Sequence, residues 1–172
     1  MELLKEINEK DLGLTVSIPG MPDNVRRAAR IILFNYMNRI AVLHVSKDRY
    51  HKLPGGGIEN EENIYEALSR EVREEVGAKA EVLGEVGVTI EYRERLLQIS
   101  YCYYGKLIGE TEAPDFTEEE LSNGFELKWL DIDTAVELIS NDKPLSYIGK
   151  FIRKRDFCFL KSYMDKHGTC LY

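Results

Sequence analysis

Short runs in which apolar residues dominate or alternate with polar ones predict a chain rich in strands. We expect strands at Arg27–Asn35, Arg39–Val45, Tyr50–Leu53, Lys79–Tyr92, Leu96–Leu107 and Phe125–Leu130. The lead-in segment, residues 1–24, is expected to hold one more strand, because apolar and polar or small residues alternate there at Leu12, Leu14, Val16 and Ile18. The long strand at Leu96–Leu107 should place one face in the core, while its other face lines a pocket.

Three stretches have helical spacing instead, and the first has clear signals at both ends. Asn63 followed by Glu66 is a helix-start signature, and Gly77 is a typical stop, so a helix is predicted from Asn63 to Val76. A short helix is predicted at Asp131–Ser140 and a long one at residues 146–168. In the last helix the residues expected to be buried are Ile148, Ile152, Phe159 and Tyr163.

The size and order of these elements predict one α/β domain covering residues 1–172. A chain of 172 residues with 44% apolar content is long enough to bury one good core. Predicted strands lie on both sides of the first helix along the chain, and two helices follow the last strand. This order fits a mixed β-sheet covered by helices.

The first predicted helix carries an unusual group of carboxylates. At about 100° per residue, Glu71, Glu74 and Glu75 fall within an arc of roughly 100° beside the apolar stripe. Like charges at this spacing destabilise an isolated helix, whereas Arg70 lies four residues from both Glu66 and Glu74 and offsets part of the repulsion. A hard divalent cation such as Mg²⁺ or Mn²⁺ explains the group better than a solvated acidic face does.

The stretch from Gly56 to Ala78 resembles the Nudix box. The matching residues are Gly56, then Glu62 after five residues, Arg70-Glu71-Val72 after seven more, Glu74-Glu75 after one and Gly77 after one. Two positions depart from the family pattern: Ala78 stands where a larger aliphatic residue is usual, and His51 stands where tryptophan is frequent. Both departures concern local packing rather than an expected ligand.

The resemblance implies an α/β/α sandwich and metal-dependent hydrolysis of a diphosphate linkage, with Mg²⁺ or Mn²⁺ as cofactor. By carry-over, Glu71, Glu74 and Glu75 are the expected metal ligands, and Glu71 and Glu74 with Arg70 are the expected catalytic group. Which carboxylate acts as general base stays open. The phosphate loop is expected at Gly55, Gly56, Gly57 and Glu62, with Glu62 supporting the loop. A further carboxylate is sought downstream, at Glu119 or Glu120 beside Glu118.

The composition limits the classes of binding partner and the cellular compartment that we expect for the protein. A net charge of −7 argues against long nucleic acid as a partner but not against a small phosphorylated nucleotide, because a metal can supply positive charge. The sequence has no apolar run of membrane-spanning length, and its first residues are too charged for a signal peptide, so a cytoplasmic location is expected. Three widely spaced cysteines indicate neither a disulfide framework nor a zinc site, and Cys102 is expected in the core.

Several alternatives remain at this point. The substrate is either a nucleoside diphosphate derivative or a nucleoside triphosphate, normal or oxidised. A non-catalytic nucleotide-sensing module on the same fold is the alternative to an enzyme, and an acidic domain without a ligand is a third possibility. A homodimer is compatible with the sequence. The aromatic residues that either stack a base or fill the core are Tyr101, Tyr103, Tyr104 and Phe116.

Overall fold

The computed structural model of the chain describes residues 1–15 and 22–171. Its strands are β1 Leu3–Ile7, β2 Asn24–Phe34, β3 Ile40–Val45, β4 Tyr50–Lys52, β5 Lys79–Arg93, β6 Leu96–Ile108 and β7 Phe125–Leu130. Its helices are α1 Ile64–Val76, α2 Glu118–Ser122, α3 Ile132–Asn141 and α4 Tyr147–His167, with a 3₁₀ turn at Glu9–Leu12. The predicted strands from β2 onwards and the three predicted helices are therefore confirmed, each to within a few residues.

The strands of the described residues form one mixed sheet in the order β1-β5-β6-β2-β3-β4, and β7 pairs with β3. The β1–β5 and β2–β6 pairs are parallel, whereas the others are antiparallel. Strands β2 and β3 pair only where Phe34 lies opposite Ile40. Beyond that point β3 pairs with β4 instead, so the edge of β2 is left to another part of the chain.

The alternation along β2 explains why helices cover both faces of the sheet. Ala29, Ile31 and Leu33 pack with the apolar stripe of α1 on one face. Ile32 and Phe34 point the other way and pack in a second cluster with α3 and α4. Successive side chains of a strand point to opposite faces, so one apolar run supplies both cores. The sandwich of helices around a mixed sheet agrees with the predicted α/β/α arrangement.

Helix α1 begins and ends as its sequence predicts. The Asn63 side chain accepts hydrogen bonds from the backbone N–H groups of Tyr65 and Glu66, and the Glu66 carboxylate accepts one from the Asn63 N–H. Gly77 ends the helix with φ 65°, in the left-handed region that glycine adopts without strain. The two ends of the helix are therefore fixed by signals local to the segment.

Two predictions, those of the early strand and of the burial of Ile148, differ from the structure. The early strand is absent from its described portion: Leu12 ends a 3₁₀ turn and Leu14 is irregular, while Val16 and Ile18 lie outside the described residues. The first strand is β1 instead, because Leu3–Ile7 finds a parallel partner in β5. Ile148, expected in the core, is 53% exposed, because it lies on the outer side of the first turn of α4.

Both faces of β6 contribute to the core: Gln98, Ser100 and Cys102 of one face are buried, and Tyr101 and Tyr103 of the other face pack on the α1 side of the sheet. The three cysteines are free thiols, and Cys102 lies in the core as predicted. None of the helices in the described residues is long and apolar enough to cross a membrane.

A layer of charged side chains lies between α4 and the sheet. Arg155 and Asp156 of α4 are completely buried, and the Arg155 Nε donates to Asp156 Oδ1 at 2.7 Å. Arg155 also lies 3.4 Å from the buried Glu91 carboxylate of β5, which Arg93 contacts from the same strand. The other Asp156 oxygen accepts a hydrogen bond from the Leu53 N–H at 2.9 Å. Helix α4 thus holds the residue that leads into the glycine loop.

Candidate active site

The glycine loop occupies the edge of β2 that β3 leaves unpaired. The Ala29 N–H donates to the Gly56 carbonyl at 3.0 Å, and the Ile31 N–H donates to the Pro54 carbonyl at 3.1 Å. Gly55 has φ 127°, and a Cβ there would lie 2.1 Å from the Ala29 oxygen. The close approach of loop and strand therefore requires glycine at this position.

Gly56 lies directly against a carboxylate of α1. A Cβ at Gly56 would lie 2.1 Å from Glu71 Oε1, so the absence of a side chain makes room for that carboxylate. At Gly57, a Cβ would lie 2.9 Å from the Arg26 guanidinium. The loop consequently brings backbone, a carboxylate and an arginine into one small volume.

Glu75 is a buried carboxylate with two strong protein partners. The Lys52 ammonium lies 2.6 Å from Oε1, and the Gly55 N–H donates to Oε2 at 2.6 Å. Burial raises the pKa of Glu75, while the Lys52 charge opposes that rise. Lys52 was not identified from the sequence, since it ends a short strand and its contact with Glu75 depends on the fold.

Arg70 connects the acidic loop to the carboxylates of α1. Its Nε and Nη2 bond both oxygens of Glu62, at 2.8 and 3.1 Å, and Nη2 also donates to the Gly57 carbonyl at 3.0 Å. Its Nη1 donates to Glu71 Oε1 at 2.9 Å and to Glu74 Oε2 at 3.2 Å. These partners raise the pKa of Arg70, and the hydrogen bonds from Arg70 lower the pKa of Glu62 to about 2.

Arg70 therefore does more than form ion pairs along the surface of α1. The expected contact with Glu66 is not formed, because the Glu66 carboxylate caps the helix at the Asn63 N–H. The expected contact with Glu74 is present. Arg70 instead gains Glu62 and the Gly57 carbonyl, so it fixes the loop on which the glycines lie.

The three box carboxylates are placed differently relative to the cavity beside the loop. Glu71 and Glu75 line it, whereas the half-exposed Glu74 is held by Arg70 outside the lining. No group of three or more His, Cys, Asp or Glu side chains in residues 1–15 and 22–171 is arranged to hold a metal. However, Glu71 Oε2 and Glu74 Oε1 accept no hydrogen bond from the described residues, and both carboxylates share one nitrogen of Arg70. Carboxylate oxygens are the ligands that a hard cation prefers, so these two oxygens fit Mg²⁺ or Mn²⁺.

The cavity has a volume of about 640 Å³ and is lined from both halves of the chain. Glu119 and Glu120 from the acidic segment line it, together with Thr117 and Asn123. The Glu120 carboxylate accepts hydrogen bonds from the Thr117 N–H and hydroxyl, so it is partly engaged as a helix cap. Glu118 is not among the lining residues.

Basic side chains also face the cavity, and the sequence reasoning missed them. Arg26, Arg30, Lys47 and Lys52 line it beside the acidic Asp48, Glu71, Glu75, Glu119 and Glu120. The available signal was an arginine inside the otherwise apolar run of β2, at Arg30, with Arg26 four residues before it. Residues four apart in a strand share a face, so one face of β2 carries both guanidinium groups.

The four aromatic residues considered for base stacking lie outside the cavity lining. Tyr101 and Tyr103 belong to the α1 side of the core, and Tyr104 packs on Tyr163 and His167. Phe116 meets Phe125 edge-on, with ring centroids 5.9 Å apart. Phe125 lines the cavity, and the Lys52 ammonium lies 5.1 Å from its ring centre.

The sequence of this chain is similar to those of known proteins. The NUDIX domain model matches residues 24–148. The diphosphoinositol polyphosphate phosphohydrolase 3-alpha of Mus musculus is 30% identical over 127 residues, which cover 72% of this chain and 75% of that protein. The mitochondrial Nudix hydrolase 12 of Arabidopsis thaliana is 32% identical over 127 residues, which cover 69% of this chain and 62% of that protein.

Solved structures share the fold at low sequence identity. The E. coli ORF135 protein superposes with a TM-score of 0.59 at 18% identity, over 84% of this chain and 91% of that one. A UDP-X diphosphatase superposes with a TM-score of 0.57 at 19% identity, over 89% of this chain and 68% of that one. These likenesses establish the fold, and the match of the domain model establishes the relationship by sequence.

Proposed function

This chain belongs to the Nudix family and is a pyrophosphohydrolase, and from that premise we propose that it hydrolyses the diphosphate linkage of a nucleotide. The substrate class is a nucleoside diphosphate derivative or a nucleoside triphosphate, normal or oxidised. The observation that carries the proposal is the meeting of the glycine loop, Glu71 and Glu75 in one cavity that basic side chains also line.

We propose Mg²⁺ or Mn²⁺ as the cofactor, held by Glu71, Glu74 and Glu75. A bound divalent ion neutralises phosphate charge and lowers the pKa of a bound water. The unpartnered oxygens of Glu71 and Glu74 support their part in this set. Glu75 is balanced by Lys52, and its joining the set requires that a cation share or replace that contact.

The remaining box residues have positioning roles in this proposal. Arg70 holds Glu71 and Glu74 through one nitrogen and Glu62 through two others, so the carboxylates stay oriented without substrate. Phosphoryl transfer depends mainly on such positioning and on charge neutralisation. The proton of the attacking water passes to a carboxylate of the cavity, and Glu71, Glu119 and Glu120 are the candidates.

Phe125 supports a nucleotide as the substrate. Its ring lines the cavity beside Lys52, as Tyr50 also does, and a base has a π-face that stacks on such a ring. A second candidate is a diphosphoinositol polyphosphate, the substrate class in the name of the Mus musculus relative. The basic side chains of the cavity favour that candidate, since it carries several phosphates and no base.

The test is a hydrolysis assay with Mg²⁺ or Mn²⁺ on a panel of nucleoside diphosphate derivatives, normal and oxidised nucleoside triphosphates and diphosphoinositol polyphosphates. We expect release of a mononucleotide product, and a fall in kcat of about a hundredfold or more in Glu74→Gln and Glu75→Gln. Glu137→Gln, which removes an exposed carboxylate of α3, is the matched control and should keep full activity.

Each alternative gives a different result in the same assay. Turnover restricted to the inositol substrates would replace the nucleotide assignment. Nucleotide binding without product release would favour the sensing module. Undiminished turnover in Glu74→Gln would remove Glu74 from the catalytic group.

A further inference from the structure

Arg30 is a buried cation, and two of its donor nitrogens have no hydrogen-bond partner among the described residues. Only 5% of the residue is exposed, and its Nε and Nη1 donate no hydrogen bond to any acceptor in the described residues. Burial lowers the pKa of Arg30 to about 10, and the nearby Arg155 charge acts in the same direction, so the group is still charged at neutral pH. Buried charged donors without acceptors are unfavourable and rare in folded proteins.

The carboxylates around Arg30 are all engaged by other donors. Asp156 accepts hydrogen bonds from Arg155 and from the Leu53 N–H. Glu75 accepts from Lys52 and from the Gly55 N–H, and Glu71 accepts from Arg70. Each of these acids attracts Arg30 electrostatically, but none of them bonds it. The described residues therefore surround a guanidinium with acids and leave its Nε and Nη1 donors unused.

Arg30 lines the same cavity as the glycine loop, Glu71 and Glu75. Because β2 pairs with the loop through Ala29 and Ile31, the residue between them projects from the strand beside the loop. A guanidinium presents several N–H donors in a planar fork, which matches the oxygens of a phosphate group. An anion in this cavity would supply the acceptors that the protein does not.

We propose that Arg30 is a substrate-binding residue that hydrogen-bonds a non-bridging oxygen of the diphosphate. This inference rests on the proposed function for the identity of the anion. It assigns to β2 a contact with the phosphates in addition to the residues of the loop and of α1. Arg30 then discriminates phosphorylated from unphosphorylated molecules, independently of whatever holds the rest of the substrate.

The experiment compares Arg30→Met and Arg30→Lys with the wild type and with Arg27→Met. Arg27 is an exposed arginine of the same strand that does not line the cavity, so it controls for the loss of one positive charge. Binding of inorganic pyrophosphate and of α,β-methylene-ADP is measured by calorimetry, and the melting temperature and the kinetic constants are measured for each protein.

We expect Arg30→Met to weaken binding of both probes by about tenfold to a hundredfold, as loss of hydrogen bonds to a charged group does. We expect KM to rise by a similar factor, and Arg30→Lys to bind with intermediate affinity because it keeps the charge but not the fork. The melting temperature of Arg30→Met should equal or exceed that of the wild type, because an unpartnered buried charge is removed. Arg27→Met should match the wild type throughout.

A lower melting temperature of Arg30→Met together with unchanged probe affinity would overturn the inference, since Arg30 would then be a structural counter-charge for Asp156 and Glu75. Turnover with a KM that Arg30→Met leaves unchanged would overturn it as well, while the proposed function would stand. Binding of both probes that depends on Arg30, without turnover of any nucleotide, would support the inference and refute the proposed hydrolysis. A wild type that binds neither probe would overturn the inference directly.

Discussion

At the scale of single residues, Glu62 and Arg70 form the best-defined contact of the site. Two nitrogens of Arg70 meet both carboxylate oxygens of Glu62, and the Glu62 carboxylate also accepts from the Glu59 N–H. Such two-point contacts between a guanidinium and a carboxylate combine charge with fixed geometry. The contact joins the acidic loop to α1, so its loss should loosen the glycine loop.

This contact predicts a specific dependence of stability on pH. The pKa of Glu62 in the folded protein is about 2, below its ordinary value of 4.5, so the ionised carboxylate stabilises the fold. That contribution is complete above about pH 4.5 and is lost as the pH falls towards 2. We expect Glu62→Gln to melt below the wild type at pH 7, and the difference to shrink between pH 5 and 3.

The control for the pH prediction is Glu137→Gln, whose melting temperature should follow the wild type at every pH. A difference between wild type and Glu62→Gln that stays constant over this range would show that the ionised form of Glu62 does not provide the stability.

Some residues of the site could be predicted from the sequence because the pattern that identifies them lies within one short segment, whereas others could not. Glu62, Arg70 and the three carboxylates of α1 were found because their spacing within one segment carries the information. Arg30 and Lys52 were missed because each lies in a strand, and whether a strand residue faces a cavity depends on which elements cover that part of the sheet. That covering depends on contacts between distant segments, which residue spacing does not reveal.

At the scale of elements, α1 could be predicted from local sequence signals, whereas β1 depends on a distant partner. Helix α1 was predicted with its caps because Asn63, Glu66 and Gly77 act within a few residues of the helix. Strand β1 was not predicted, since Leu3–Ile7 becomes a strand by pairing in parallel with β5, a segment distant in sequence. The buried charges of α4 were also missed, because Arg155 and Asp156 resemble an exposed helical pair in sequence.

A further prediction concerns helix α4. Its buried Asp156 accepts hydrogen bonds from both Arg155 and the Leu53 N–H. Asp156→Ala leaves the buried Nε of Arg155 and the buried Leu53 N–H without their acceptor, which costs about 3–5 kcal/mol of unfolding free energy. For a chain of this size we expect the melting temperature to fall by roughly 10 °C or more. Thermal unfolding followed by circular dichroism measures it.

The matched control lies on the same helix. Asp165 forms an exposed ion pair with Lys161 one turn away, so Asp165→Ala should cost less than about 1 kcal/mol. Equal losses in the two variants would mean that the buried network contributes no more than a surface pair.

At the scale of the whole molecule, the net charge and the local charge of the cavity differ. The chain carries a net charge of −7, yet four basic side chains of the described residues line the cavity beside five acidic ones. An overall negative field disfavours long polyanions, whereas a small phosphorylated molecule meets mainly the local groups. The near balance of charges in the cavity turns positive once a divalent cation joins the acids, which suits a diphosphate.

The last prediction follows from that balance and concerns metal binding by the folded protein alone. Mn²⁺ at about a hundred times its dissociation constant should stabilise the wild type by about 2.7 kcal/mol, because the unfolded chain has no assembled carboxylate site. For a protein of this size the melting temperature should rise by roughly 5–10 °C. We expect Glu71→Gln and Glu75→Gln to lose most of this rise and Glu137→Gln to keep it, each compared with its own metal-free value. A wild type whose melting temperature ignores Mn²⁺ would contradict the proposed cofactor, since any ion held by the folded state alone must stabilise it.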